Sequence, residues 1–212
     1  MRIEFIILGL LAYALGTLPT AVIIGKIFFK TDVRDHGSGN SGATNTIRIL
    51  GLRTGLTVLA IDIFKGMAAL QLVYLFPWIT RDPDLLDLMT VIMATCAVMG
   101  HIYPVYMNFR GGKGMATLTG IVFTLNYELG LVCLGLFLIL LFLTEYVSLS
   151  SVTTALFFPL ICILVTPESS VPFDLFCFFI AFLVPLTHSK NIERLLKGVE
   201  NKTKILKRRK KK

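Results

Sequence analysis

Long apolar segments separated by short polar stretches make up most of this sequence. They cover residues 3–24, 55–76, 88–107, 115–143, 149–165 and 173–186. A helix needs about 20 apolar residues to cross the hydrocarbon core of a bilayer, and all its backbone polar groups must bond internally there. Only 16% of the residues are charged. The sequence therefore predicts an all-α integral membrane protein.

The number of spans depends on the segment 115–143. As a single helix it would be about 43 Å long, well beyond the ~30 Å hydrocarbon core. Asn126-Tyr127-Glu128 offers a polar break. We therefore predict seven transmembrane helices, of which the fourth, Met115 to Leu125, is short.

Basic residues predict the orientation of these helices. Lysine and arginine concentrate in the loop 26–53, in the hairpin 108–114 and from residue 190 onward. Such segments stay in the cytoplasm under the positive-inside rule. We predict the N-terminus outside, the C-terminus in the cytoplasm, one polytopic domain over residues 1–200 and a basic cytoplasmic tail over residues 201–212. The tail suits either binding to anionic lipid or a solubilising role.

A small glycine-rich loop lies between the first two apolar segments. Its glycines Gly37, Gly39 and Gly42 match the G-x-G-x-x-G dinucleotide fingerprint, but no buried strand precedes them, so we reject that interpretation. A plain interhelical linker and a phosphate cradle remain. The loop and the next turn also carry polar side chains suited to phosphate, namely Ser38, Asn40, Thr44, Asn45 and Arg48.

Other polar groups recur at the predicted cytoplasmic side. The hairpin contributes Arg110, Gly111, Gly112 and Lys113, and the C-terminal segment contributes His188, Asn191 and Arg194. Asp62 and Lys65 lie three residues apart on one helix face inside the second apolar segment. An ionisable pair there indicates either a functional site or a salt bridge that holds helices together. We predict that His101 is a packed, hydrogen-bonded histidine that holds a polar loop in place.

Several chemistries find no support in the sequence. There is no metal-ligand spacing of the H-E-x-x-H type, no phosphate-binding P-loop and no G-x-S-x-G nucleophile elbow. We expect no metal, no cofactor and no nucleic acid partner. A membrane carrier for a phosphorylated metabolite remains as an alternative to an enzyme, because the same cations could line a path.

Four stretches resemble one enzyme family. They are GSGNSGATNTIR (37–48), DIFKG (62–66), GHIYPVY (100–106) leading into FRGGKG (109–114), and HSKNIERLLKGVE (188–200). Together they resemble the bacterial acyl-phosphate:glycerol-3-phosphate acyltransferase family. Two departures are visible: Ser41 stands where the family often has proline, and Thr187 and Ser189 flank His188 where arginines are usual.

The resemblance implies transfer of a fatty acyl group from acyl phosphate to the 1-hydroxyl of glycerol 3-phosphate, the first acylation in phospholipid synthesis. It implies a multi-pass protein of the bacterial cytoplasmic membrane, with its active site on the cytoplasmic side and membrane lipid around it. The expected catalytic residues are Ser38, Arg48, Lys113, His188 and Asn191. The expected phosphate- and substrate-binding residues are Gly37, Gly39, Asn40, Gly42, Thr44, Asn45, Lys65, Arg110, Gly111, Gly112 and Arg194. Asp62, His101 and Glu200 are expected to support them.

Overall fold

A computed structural model describes residues 3–203, and over that range the chain forms helices and turns without strands. The α-helices are α1 (Ile3–Gly16), α2 (Thr20–Phe29), α3 (Ala43–Leu50), α4 (Leu52–Gln71), α5 (Pro77–Thr80), α6 (Pro83–Ile102), α7 (Met115–Leu125), α8 (Tyr127–Thr144), α9 (Val147–Val165), α10 (Val171–Thr187) and α11 (Ser189–Leu196). The predicted all-α class is confirmed. The predicted basic tail lies outside the described residues from position 204 onward.

Five helical segments are long and apolar enough to cross a membrane: Ile3–Phe29, Leu52–Leu75, Pro83–Met107, Tyr127–Thr144 and Val147–Val165. Helices α10 and α11 make a sixth if the 61° bend between them belongs to one span. The apolar helix α7 has only 11 residues. A multi-span helical protein is therefore established, whereas the count of seven crossings and the orientation of the termini stay predictions.

The break between α7 and α8 falls where the sequence placed it. Helix α7 ends at Leu125, and the Asn126 side chain accepts a 2.8 Å hydrogen bond from the backbone N–H of Leu129. Asparagine is a favoured N-cap because its side-chain oxygen satisfies an N–H that has no partner inside the helix. This cap starts a new helix, α8, rather than extending α7.

Glycines let two pairs of helices touch through their backbones. A Cβ atom on Gly16 of α1 would lie 2.1 Å from the carbonyl oxygen of Ala97 in α6. A Cβ atom on Gly120 of α7 would lie 2.0 Å from the carbonyl oxygen of Ile63 in α4. In a bilayer such small residues replace the hydrophobic effect as the means of close helix packing.

The polar loops gather at one end of the bundle. The backbone N–H of Thr203 donates to the carbonyl of Glu145 at 2.7 Å, which joins the C-terminal segment to the turn between α8 and α9. At the opposite end, the Ser170 hydroxyl donates to the carboxylate of Asp87. The chain thus leaves the polar end through α7 and returns to it through α8.

Candidate active site

A cavity of about 360 Å³ opens at the polar end of the bundle and continues between α7, α8 and α9. Apolar side chains line its inner part, including Leu118, Val122 and Phe158. Polar residues predicted from the sequence line the other part: Ser38, Asn40, Gly42, Thr44, Asn45, Arg48, Asp62, His101, Lys113, His188, Asn191 and Glu200. The fold therefore brings three distant polar segments to one cavity.

Seven predicted binding residues do not line this cavity: Gly37, Gly39, Lys65, Arg110, Gly111, Gly112 and Arg194. Four of them, Lys65, Arg110, Gly111 and Gly112, line a small recess on the other side of Asp62 and His101. Arg194 lies behind Glu200, and the two loop glycines shape the backbone. These placements favour supporting roles over direct substrate contact.

The side-chain amide of Asn45 holds the glycine-rich loop together. Its Nδ2 donates to the carbonyls of Val33 and Asn40 at 2.9 Å and to that of His36 at 3.1 Å. Its Oδ1 accepts from the backbone N–H of Ser38 at 2.9 Å. Because these bonds occupy its donors and one acceptor position, Asn45 organises the loop rather than offering a donor to a ligand.

Two features of this loop suit an anion. Gly37 has a left-handed φ of +61°, and a Cβ atom there would lie 2.4 Å from Oδ1 of Asn45, so only glycine fits. The loop leads into the first turn of α3, whose Gly42, Ala43 and Thr44 line the cavity. Backbone N–H groups at a helix N-terminus favour negative charge. The exposed Arg48 adds a guanidinium from the last turn of the same helix.

The carboxylate of Glu200 is the centre of a buried network. Its Oε1 accepts from Nδ2 of Asn191 at 2.7 Å and from the Ser148 hydroxyl at 3.0 Å, and its Oε2 accepts from Nε of Arg194 at 2.6 Å. Burial alone would raise the pKa of Glu200, but these hydrogen bonds outweigh it and hold the pKa below its ordinary value. Glu200 is therefore an ionised anchor.

Lys113 connects this network to the cavity. Its ammonium donates to Oδ1 of Asn191. Burial lowers the pKa of Lys113 to about 8; the charge of Glu200 acts against that shift, while those of Arg194 and Arg48 add to it. The Lys113 ammonium therefore loses its proton more readily than a free lysine does. An anion bound in the cavity would raise its pKa again.

The His188 ring has a defined orientation. Its Nδ1 lies 2.8 Å from the carbonyl oxygen of Val184, and since a carbonyl can only accept, Nδ1 carries the hydrogen. The neutral ring then presents Nε2 as an acceptor. Because the buried ring lines the cavity, His188 can accept a hydrogen bond from a hydroxyl bound there.

The Asp62–Lys65 pair joins helices. The Lys65 ammonium lies 2.8 Å from Oδ1 of Asp62 and donates to the carbonyl of Leu18 at 2.9 Å. The Thr20 hydroxyl donates to the same Asp62 oxygen at 2.9 Å. Both residues lie on α4, and their bonds to Leu18 and Thr20 tie that helix to the junction of α1 and α2, as the structural interpretation of the pair expects.

His101 fastens the second hairpin to α6. Its carbonyl accepts from the backbone N–H of Gly112 at 3.0 Å, and its Nδ1 lies 3.0 Å from the Thr117 hydroxyl. A Cβ atom on Gly112 would lie 2.1 Å from Nε2 of His101, so any side chain there would displace the ring. These contacts set the position of Lys113, which follows directly.

Sequence reasoning missed a row of hydroxyls on α9. Ser148, Ser151 and Thr154 line the cavity at intervals of three residues. Within residues 3–203, the Thr154 hydroxyl is buried without a hydrogen-bond partner. The signal was present in the sequence, because these hydroxyls share a helix face inside an otherwise apolar segment.

The arrangement as a whole suits an amphiphile and an anion held side by side. Arg48, Lys113 and the turn at the start of α3 supply positive potential, and His188 supplies a hydrogen-bond acceptor. The inner part of the cavity gives an apolar chain a place away from water.

Known proteins are similar to this chain in sequence and in fold. The sequence model of the family described as glycerol-3-phosphate acyltransferase matches residues 6–198. A glycerol-3-phosphate acyltransferase of Staphylococcus carnosus is 40% identical, over 94% of this chain and 98% of its own length. That of Macrococcus caseolyticus is 38% identical, over 96% of this chain and all of its own length.

Two crystal structures of PlsY (YgiH), an integral membrane glycerol 3-phosphate acyltransferase, superpose on this fold. The glycerol 3-phosphate form gives a TM-score of 0.84 at 33% identity, covering 96% of this chain and 97% of the other. The lysophosphatidic acid form gives 0.82 at 32% identity with the same coverage.

Proposed function

The chain belongs to the glycerol-3-phosphate acyltransferase family, and from that membership we propose that it moves a fatty acyl group from acyl phosphate to the 1-hydroxyl of glycerol 3-phosphate. The products are lysophosphatidate and inorganic phosphate. The crystal structures of the PlsY relative in glycerol 3-phosphate and lysophosphatidic acid forms support the acceptor and the product.

One observation carries the proposal: a single cavity joins a cationic polar end to an apolar channel between α7, α8 and α9. Acyl phosphate has the same two parts, a charged head and an apolar tail. Glycerol 3-phosphate has no apolar tail and needs only the polar end. The cavity can therefore hold the reacting carbonyl where head and tail meet.

The reaction requires no covalent enzyme intermediate. The 1-hydroxyl oxygen attacks the acyl carbonyl carbon and forms an ester bond with it. The bond between that carbon and the bridging oxygen of the phosphate breaks. The hydroxyl proton leaves with the released phosphate, so atoms and charge balance. His188 accepts the hydrogen bond of the attacking hydroxyl, and Arg48 and Lys113 stabilise charge on the phosphate groups. Ser38 donates a hydrogen bond and is not acylated.

The proposed site faces the cytoplasm of a bacterial cell, in the cytoplasmic membrane. Lys26, Lys30, Arg34 and Arg53 flank the glycine-rich loop at the polar end of the bundle. Positive residues of this kind mark the cytoplasmic side, which is also where glycerol 3-phosphate would be met. With α7 and the bent α10 as crossings, the helices make the seven spans of the sequence-based topology.

Turnover by the purified protein tests the function. In detergent, palmitoyl phosphate plus glycerol 3-phosphate should release inorganic phosphate and form lysophosphatidate in equal amounts. Lys113→Ala should lose about a hundredfold in kcat/KM if its charge bears on the transition state. Lys197→Ala is the matched control, because Lys197 directly follows α11, is exposed and pairs with Glu193.

Two results would contradict the proposal. Phosphate release that does not require glycerol 3-phosphate would indicate hydrolysis. Exchange of glycerol 3-phosphate across proteoliposomes without turnover would favour a carrier. Ping-pong kinetics with an acyl group trapped on Ser38 would overturn the direct attack while leaving the overall reaction in place.

A further inference from the structure

Two phenylalanine rings line the inner end of the cavity. Among the residues that line it, Phe123 of α7, Gly130 of α8 and Phe158 of α9 lie farthest along their helices from the polar end. Phe158 follows Ser148 by ten residues, about 15 Å of helix, and Phe123 follows Met115 by eight, about 12 Å. These positions mark the innermost lining residue on each of the three helices.

The glycine at this end makes room for one of the rings. A Cβ atom on Gly130 would lie 2.8 Å from Cδ1 and Cγ of Phe123. That distance is too short for carbon atoms, so any side chain at position 130 has to displace the ring. Phe123 borders the cavity, so a shift of its ring toward α9 would shorten the channel.

Phe158 lines the same end of the channel from α9. Its side chain is 3% exposed, whereas that of the preceding Phe157 is 49% exposed and points away from the bundle. Two neighbouring phenylalanines thus have different surroundings, one inside the cavity and one outside.

We propose that Phe123, Gly130 and Phe158 form the floor of the acyl channel and set the longest acyl chain that the enzyme transfers efficiently. This inference rests on the proposed function, because it requires an acyl chain in the cavity. A methylene that does not fit an apolar site changes kcat/KM by about tenfold or more, so a floor makes efficiency fall abruptly beyond one chain length.

The test is a chain-length profile of kcat/KM with saturated acyl phosphates from dodecanoyl to octadecanoyl. Gly130→Ala should shift the optimum to shorter chains by pushing the Phe123 ring inward. Phe158→Ala should shift it to longer chains by opening the floor; Phe158→Leu serves if the alanine variant does not fold. The ratio of kcat/KM between two donors does not depend on how much of a preparation is active.

Two matched variants control for general effects. Gly135 lies on α8 with nothing within 4 Å of a Cβ atom, so Gly135→Ala should leave the profile unchanged. Phe157→Ala should do the same. If Gly130→Ala and Phe158→Ala keep the chain-length profile of the unaltered enzyme, the proposal that these residues limit the acyl chain is wrong. The acyl chain would then leave the cavity sideways into lipid. An unaltered enzyme without turnover on any donor would instead overturn the proposed function.

Discussion

Nδ2 of Asn191 donates to Oε1 of Glu200 at 2.7 Å, and both side chains are buried. This bond decides which way the Asn191 amide points, because its Nδ2 faces the carboxylate and its Oδ1 is left to accept from Lys113. Glu200 thus positions Lys113 through a residue that touches both.

Glu200→Gln should lower the melting temperature in detergent. The change replaces an ionised acceptor that serves Asn191, Ser148 and Arg194, and unpaired buried polar groups cost about 1–3 kcal/mol each. Glu193→Gln is the control, since the Glu193 side chain is 61% exposed. Equal melting temperatures for the two variants would contradict a buried anchor.

The contribution of Glu200 to folding stability should also depend on pH. Because the pKa of Glu200 is lowered on folding, that contribution is present above the ordinary value of 4.5 and is lost as the pH falls below it.

The protonation of Lys113 should limit activity in alkaline solution. Its pKa of about 8 predicts that kcat/KM, which reports the free enzyme, falls as the pH rises through 8. Phosphate monoesters ionise near pH 6, so the substrate does not account for such a fall. Glu200→Gln should move the decline to lower pH, because the charge of Glu200 raises the pKa of Lys113. A profile that stays flat to well above pH 9 would contradict this role.

Arg48→Lys should raise the KM for glycerol 3-phosphate by about tenfold or more, although the charge is kept. A guanidinium can hold a phosphate through two parallel N–H bonds, and an ammonium cannot reproduce that geometry. Arg53→Lys is the control, because Arg53 is exposed on α4 and does not line the cavity. If both variants keep the KM of the unaltered enzyme, Arg48 does not grip the phosphate.

The seven-span topology predicts that Asn126 lies on the outer side of the membrane. A single cysteine at position 126 in a cysteine-free variant should react with an impermeant thiol reagent added to intact cells. A cysteine at Glu145, at the other end of α8, should react only after the cells are opened. Labelling of position 126 from the cytoplasmic side alone would overturn this topology.

The sequence by itself determined the class of fold and the break at Asn126, because apolar length and helix capping are local properties. It also predicted which polar segments line the cavity, since a glycine-rich loop, two cations on one hairpin and an ionisable pair inside an apolar segment stand out from the rest of the chain. Which groups each of these residues contacts was decided only by the tertiary structure. Asn45 suited phosphate by residue type, yet three backbone carbonyls and Ser38 occupy its amide.

Lys65 shows the same limit. Its charge inside a span indicated either a site or a salt bridge. Asp62 lies three residues earlier on the same helix, but only the packing of α4 against the α1–α2 junction brings the Leu18 carbonyl within reach of the Lys65 ammonium. The apolar channel also could not be predicted from the sequence. Phe157 and Phe158 are identical neighbours in an apolar segment, and the cavity that separates their roles exists only where α7, α8 and α9 meet, because a cavity is a property of side chains distant in sequence.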